Sequence, residues 1–151
     1  MAITHIGEIP NLHVRDFQRK RVYNAELECA FWDNISILPI EEIEQLITDI
    51  SVWAGIERPD FSVQGHEDMP VAYATPTEIV LPFPITQSKP FICHEMSHVI
   101  NYQLGPADHH GPNFAKVYLE VVHEFIGEEE YTDLKLQFDL LGVRYEEVIL
   151  V

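Results

Sequence analysis

Apolar residues recur at helical spacing in several segments of the chain. In residues 14–32 and 39–53 they return every three or four positions with charged residues between them, a pattern typical of amphipathic helices. Further helices are indicated over residues 88–104, 112–126 and 129–141. Proline near several of the starts and glycine after several of the ends are common helix boundaries. The pattern therefore predicts five helices.

The period changes between the second and third predicted helices. Short runs rich in β-branched and aromatic residues, separated by glycine and proline, occupy residues 61–64, 71–74 and 77–81. Such runs predict three strands, which we expect to form an antiparallel meander. The order of helices and strands indicates an α+β fold with a small sheet.

The last residues, 143–151, form an extended apolar run. We expect this run to dock as a final strand or against the core. The alternative is a lid that adds to the sheet edge in place of a substrate and keeps the site latent.

The length of 151 residues corresponds to one domain, so we expect a single unit over residues 1–151. Nine basic and 25 acidic side chains give a formal charge of −16, which disfavours nucleic-acid partners. No apolar run reaches the length of a signal peptide or a membrane span, which predicts a cytoplasmic protein without a membrane partner. Two cysteines, Cys29 and Cys93, are expected to be buried free thiols.

The candidate chemistry lies in the segment His94-Glu95-Met96-Ser97-His98, which matches the pattern H-E-x-x-H. Because residues four apart share one face of a helix, both imidazoles can point at the same ion, with Glu95 beside them. Two nitrogen ligands with no carboxylate cage and no thiolate pair favour Zn²⁺. A helix that used these residues for packing alone would bury three polar groups that need partners.

A catalytic zinc site takes three protein ligands, so one more is required. His110 is favoured, because it precedes a predicted helix start at Gly111-Pro112 and the turn can aim it back at the motif. The alternatives are His109 in the same loop and, on the following helix, Glu120, His123 or Glu124. A carboxylate from that helix would give a different ligand set, although Glu120 and Glu124 also suit a solvated helix face.

The two motifs together resemble the core of the SprT-like (Spartan-type) zinc metallopeptidases. The resemblance rests on H-E-x-x-H at residues 94–98 and on His110-Gly111-Pro112-x-Phe114. It implies a zincin-like fold with the motif on a central helix, His94, His98 and His110 as zinc ligands and Glu95 as the catalytic base.

A second resemblance, to a group of short bacterial and phage metallohydrolase-like proteins, spans most of the chain. It includes the early helix, with Arg15-Asp16-x-Gln18-Arg19-x-Arg21-Val22-Tyr23-x-Ala25-Glu26. The chain lacks the zinc ribbon and the DNA-binding segment of Spartan, so a DNA-linked substrate is not implied.

These features predict a zinc-dependent metallopeptidase or amide hydrolase that acts on a peptide or protein. Glu95 would act as general base on a water at the metal. Tyr73 and Tyr102 are candidate donors to the developing oxyanion, and residues 77–81 are the candidate strand for pairing with an extended substrate. The alternative function is a non-catalytic binding module stabilised by zinc, against which the presence of Glu95 counts.

Overall fold

The computed structural model of the chain describes residues 16–33, 35–63, 71–82 and 84–145. Within these ranges the fold is α+β, as predicted, with five helices and a three-stranded sheet. The elements are, in chain order, α1 (Arg19–Glu28), α2 (Ile40–Ala54), β1 (Asp60–Ser62), β2 (Tyr73–Ala74), β3 (Glu78–Val80), α3 (Lys89–Leu104), α4 (Pro112–Phe125) and α5 (Glu128–Leu141).

The helix boundaries follow local chemistry. Helix α2 begins after Pro39, carries two glutamates in its first turn and ends at Gly55, whose φ of 68° suits glycine. Helix α5 begins with three glutamates and ends at Gly142, with φ of 75°. Helix α1 is shorter than predicted, because Cys29 adopts extended backbone with ψ of 132° and a short 3-10 helix, Ala30–Trp32, follows. The five predicted helices are thus confirmed, with α1 trimmed at both ends.

The sheet differs from the predicted meander. Its strand order is β1-β3-β2, with β1 parallel and β2 antiparallel to β3. Strand β3 is therefore central, with both of its edges already hydrogen-bonded to neighbouring strands. The prediction that residues 77–81 pair with an extended substrate is wrong for this reason. The outer strands of the described sheet are β1 and β2.

Two hydrophobic clusters form the interior, and α3 and α4 lie between them. The first packs α2 and the sheet against α3, with Ile47, Ile79 and Phe91 among its members. The second packs α1 and α5 against α4 around Phe114 and Phe138. The site described below lies where α1, α3 and α4 meet.

A pair of hydrogen bonds fastens the start of α1 to the segment after α5. The buried Gln18 side chain donates from Nε2 to the carbonyl of Arg144 at 2.9 Å, and its Oε1 accepts from the Arg144 amide at 3.1 Å. Residues 146–151, which hold most of the predicted final strand, lie outside the described residues. Both cysteines are buried free thiols, as predicted. In the described ranges, no helix combines the length and apolarity that a membrane crossing requires.

Candidate metal centre

Helix α3 buries the H-E-x-x-H motif completely. Twelve consecutive residues, from Pro90 to Asn101, are buried, because α2 and the sheet cover one side of the helix and α4 packs on another. The side chains of His94, Glu95 and His98 have no exposed surface. Groups of this polarity are costly to bury unless they are paired or hold an ion.

The loop between α3 and α4 turns the third histidine toward α3. Asp108 organises this loop: its carboxylate accepts hydrogen bonds from the side chain of Asn101 at 2.8 Å and from the amides of Asn113 and Phe114 at 2.9 and 3.2 Å. Two of these donors are orphan amides in the first turn of α4, so Asp108 also caps that helix. A Cβ on Gly111 would lie 2.5 Å from the Asp108 carboxylate, so the close approach requires glycine there.

His94, His98 and His110 converge on one point. The Nε2 atom of His110 lies 3.2 Å from Nε2 of His98 and 3.4 Å from Nε2 of His94, and one ligand atom from each residue falls within 4.8 Å of the others. Two nitrogens bound to a tetrahedral ion at 2.0–2.1 Å would be about 3.3–3.4 Å apart. The three buried histidines are therefore close enough to bind a metal ion.

Glu26 of α1 orients the first of these rings. Its Oε2 atom lies 2.5 Å from Nδ1 of His94 and also accepts a hydrogen bond from the Tyr118 hydroxyl at 2.7 Å. The Trp32 indole donates in turn to the Tyr118 hydroxyl at 3.1 Å. Since a carboxylate only accepts, Nδ1 of His94 carries a proton, and in the neutral ring Nε2 then presents a lone pair toward the cluster.

Asp16 orients His110 in the same manner. Its Oδ2 atom accepts from Nδ1 of His110 at 3.0 Å, and its Oδ1 atom accepts from the backbone amide of the same residue at 3.2 Å. Burial lowers the pKa of His110 well below its usual value, with His94 the next cause, so the ring stays neutral. A neutral imidazole with a protonated Nδ1 is the form that binds a metal through Nε2.

The resulting arrangement favours a cation. When both rings are neutral and carry their protons on Nδ1, the Nε2 lone pairs of His94 and His110 face each other at 3.4 Å, which is repulsive without a positive charge between them. The carboxylates of Asp16 and Glu26 contact the outer nitrogens of these two rings, and Glu95 is next to His94 in the chain. Burial and the charge of Glu26 raise the pKa of Glu95 well above its usual value. A divalent ion would relieve both conflicts, so the residues present fit a metal.

Phe114 closes the apolar side of the cluster. Its ring stacks on His98 with centroids 4.1 Å apart and lies 5.2 Å from His94 and 5.0 Å from His110. Since it contacts all three rings, Phe114 limits how far each can rotate. The phenylalanine of the second motif thus has a positioning role that the spacing alone did not assign.

The rings of two tyrosines, Tyr23 and Tyr102, border the cluster. The hydroxyls of Tyr23 and Tyr102 are buried, and neither has a hydrogen-bond partner in the part of the chain that the structure describes. Burial raises the pKa of both, and the negative charge of Glu95 raises both further, so both stay protonated. A buried hydroxyl without a partner costs about 1–3 kcal/mol.

The other sequence candidates lie elsewhere. His109 is buried in the loop with a positive φ of 58°, outside the three-histidine cluster. Glu120, His123 and Glu124 are exposed on α4, where Glu120 lies 3.9 Å from Lys116 and His123 contacts Glu128. These positions exclude the three α4 residues as ligands.

Tyr73, the other predicted donor, lies in the edge strand β2 and is half-buried. Its pKa is raised, first by burial and then by the charge of Glu78. The structure thus places Tyr102 at the cluster beside His98, with ring centroids 6.0 Å apart, and Tyr73 on the sheet.

Sequence reasoning missed Asp16, Tyr23 and Glu26 as site residues. A signal was available for Glu26, which follows Ala25 on the face of α1 that also carries Val22 and Cys29. A carboxylate on the buried face of an amphipathic helix requires a partner. Asp16 and Tyr23 reach the same cluster from before and within α1.

Comparison of the chain with protein-family models, with curated proteins and with solved structures finds no match. The resemblance to SprT-like metallopeptidases therefore stays a hypothesis from the two motifs. What the molecule itself establishes is a buried three-histidine cluster, with carboxylates that orient two of its rings, that is able to hold a metal ion.

Proposed function

We propose that this protein is a zinc-dependent peptidase or amide hydrolase with a zincin-like site. His94, His98 and His110 would hold the metal, and Glu95 would be the general base. The observation that carries the proposal is the convergence of three buried imidazoles on one point, with a fully buried glutamate next to His94 in the chain. Three nitrogen ligands leave the fourth position of a tetrahedral zinc site for chemistry.

Zinc, when bound, would supply a Lewis acid that polarises the substrate carbonyl and lowers the pKa of a water. Glu95 would accept the proton that this water loses as its oxygen adds to the carbonyl carbon. The same carboxyl group would then return the proton to the leaving nitrogen as the carbon–nitrogen bond breaks. The products are a carboxylic acid and an amine, and the glutamate ends in its starting state.

Glu26 and Asp16 would keep the ligand rings in place during this cycle. Each accepts a hydrogen bond from Nδ1–H of its histidine, which fixes the tautomer and increases the basicity of Nε2. Tyr102, whose ring stacks beside His98 and whose hydroxyl is buried, is a candidate donor to the reacting carbonyl oxygen. Tyr73, on the edge strand β2, is the weaker candidate.

The test combines metal analysis with a peptide-cleavage assay on the full chain, purified without chelators. We expect one equivalent of zinc and hydrolysis of a mixed fluorogenic peptide library or casein. Glu95→Gln should keep the zinc and lose about 10²–10⁴-fold in rate. The matched control is Glu124→Gln, an exposed glutamate on α4, which should leave both properties unchanged. A chain that binds no zinc, or a Glu95→Gln variant with full activity, overturns the proposal.

The full burial of all three histidines and of Glu95 favours a second candidate, a binding domain that zinc only stabilises. This candidate predicts a large fall in melting temperature when zinc is removed, no hydrolysis by the wild-type protein, and zinc-bound Glu95→Gln protein indistinguishable from wild type. The same set of measurements therefore distinguishes the two functions.

A further inference from the structure

We propose that Tyr23 of α1 is a catalytic residue whose hydroxyl donates a hydrogen bond to the oxyanion formed from the substrate carbonyl. This inference rests on the proposed hydrolysis and adds a group that lies outside the H-E-x-x-H motif and the His110-Gly111-Pro112-x-Phe114 motif. It concerns a residue on α1, whereas the motif residues come from α3 and the loop after it.

The first argument is the position of the ring. Tyr23 packs edge-on against His110, with ring centroids 5.0 Å apart, and its centroid is 6.2 Å from that of His94. It therefore borders two of the three histidines. Glu26, three residues further along α1, accepts a hydrogen bond from Nδ1 of His94, so two residues on one face of this helix contact the cluster.

The second argument is the state of the hydroxyl. It is buried, and no described residue donates to it or accepts from it. Tyr118, by contrast, is a buried tyrosine in the same region whose hydroxyl both donates to Glu26 and accepts from Trp32. Phenylalanine would fill the space of Tyr23 without leaving a polar atom unsatisfied. An unsatisfied donor at the cluster is suited to a partner that is present only during the reaction.

The third argument is chemical. Attack on an amide carbonyl places negative charge on its oxygen, and a second donor beside the metal stabilises that charge. The carboxylates of Asp16 and Glu26 already accept hydrogen bonds from the ligand histidines, and Glu95 holds the proton that goes to the leaving nitrogen, so none of the three is assigned to the oxyanion. Tyr23 supplies a neutral donor at this position. The step transfers no proton, because the hydroxyl donates a hydrogen bond and retains its hydrogen.

The test is Tyr23→Phe, with Tyr131→Phe as the matched control. Tyr131 lies on α5 with its ring against that of His123, away from the cluster. We expect Tyr23→Phe to keep its zinc and to lose about 100-fold in kcat with little change in KM, the size of effect seen when one oxyanion donor is removed. Its melting temperature should equal or exceed that of the wild type, because the change removes a buried unsatisfied group.

A second measurement is independent of turnover. Acetohydroxamate, which places a carbonyl oxygen and a hydroxamate oxygen on a metal, is titrated into cobalt-loaded protein and followed by visible absorption. We expect its Kd to rise about 10-fold in Tyr23→Phe, as for loss of one hydrogen bond to a charged oxygen, and to stay constant in Tyr131→Phe.

The outcomes separate the two proposals. Loss of acetohydroxamate affinity in Tyr23→Phe, in a protein that cleaves no peptide, would support the donor role and contradict the proposed hydrolysis. Wild-type activity and wild-type affinity in Tyr23→Phe would overturn the donor role alone. A fall in melting temperature together with loss of metal would show a structural role, and failure of acetohydroxamate to bind wild-type protein would also overturn the inference.

Discussion

The carboxylate of Glu26 lies 2.5 Å from Nδ1 of His94, a residue 68 positions further along the chain. Helix α1 thus participates in a site whose ligands come from α3 and the loop that follows it. The pairing of Asp16 with His110 repeats the relationship on a second ring. Together these carboxylates determine which nitrogen of His94 and of His110 faces the metal site.

Replacing Glu26 by glutamine tests this relationship. Glutamine can still accept from His94 and Tyr118 through its carbonyl oxygen, but it removes the negative charge. We expect zinc affinity to fall about 10–100-fold, the usual effect of losing an outer carboxylate. Competition with a chromophoric chelator measures the Kd. Glu28→Gln, an exposed glutamate on the same helix, is the control, and equal affinities in the two variants would contradict the assignment.

The neighbouring histidines of the loop provide a matched pair. Loss of a residue that hydrogen-bonds a metal ligand typically lowers affinity about 10–100-fold. His110→Ala should lower zinc affinity by more than this, because it removes a ligand itself. His109→Asn should keep one equivalent of zinc, and asparagine tolerates the positive φ at this position. The measurement is the zinc content of each variant after dialysis against metal-free buffer. Retention of zinc by His110→Ala with loss in His109→Asn would reverse the assignment.

Asp108 should matter to stability as well as to metal binding. Asp108→Ala removes the acceptor for Asn101 and for two amides of α4, so we expect the free energy of unfolding to fall by about 1–3 kcal/mol. Urea denaturation of metal-free protein measures the change. Glu124→Ala, an exposed position on the same helix, should change it by less than about 0.5 kcal/mol. Equal stabilities would show that the loop is held by other contacts.

The Cys29 thiol should be unreactive in the folded protein. Burial raises its pKa, and the charges of Asp133 and Glu26 raise it further, so little thiolate forms. Iodoacetamide at pH 8.5 should modify Cys29 at least about 100-fold more slowly than in the urea-unfolded chain, as located by peptide mass spectrometry. Because the folded state holds this proton to higher pH than the unfolded chain does, thiol ionisation lowers stability as the pH rises above about 9. Rapid modification under native conditions would contradict the packing of α1 on α5.

The helices could be predicted from sequence because their signals are local. The spacing of Ile43, Leu46, Ile47 and Ile50, followed by Gly55, defines α2 without reference to any other element. The sheet order could not be predicted, because β1 pairs in parallel with β3 and antiparallel β2 lies on the far side. Parallel pairing depends on a crossover, which short strands do not encode in their own composition.

The same distinction holds for the site: residues set by local spacing could be predicted, and residues set by tertiary packing could not. Two histidines four residues apart on a helix must lie on the same face, so the pairing of His94 and His98 could be predicted from their spacing alone. The third histidine could be favoured but not fixed from the residues, because the direction of His110 depends on Asp108 and on positive φ at Ala107 and His109. The role of Glu26 required knowledge of which helix packs against α3, which is tertiary information.

The hydrogen bonds between Gln18 and Arg144 join positions 126 residues apart, one at each end of the described chain. Asp16 lies two residues before Gln18, so the carboxyl-terminal segment helps to determine where an outer carboxylate of the metal cluster lies. Shortening the chain after Gly142 would therefore release this attachment as well as remove any strand that follows. A change in metal affinity or activity in such a truncated protein would report on the anchoring of α1, even where the deleted residues never approach the histidines.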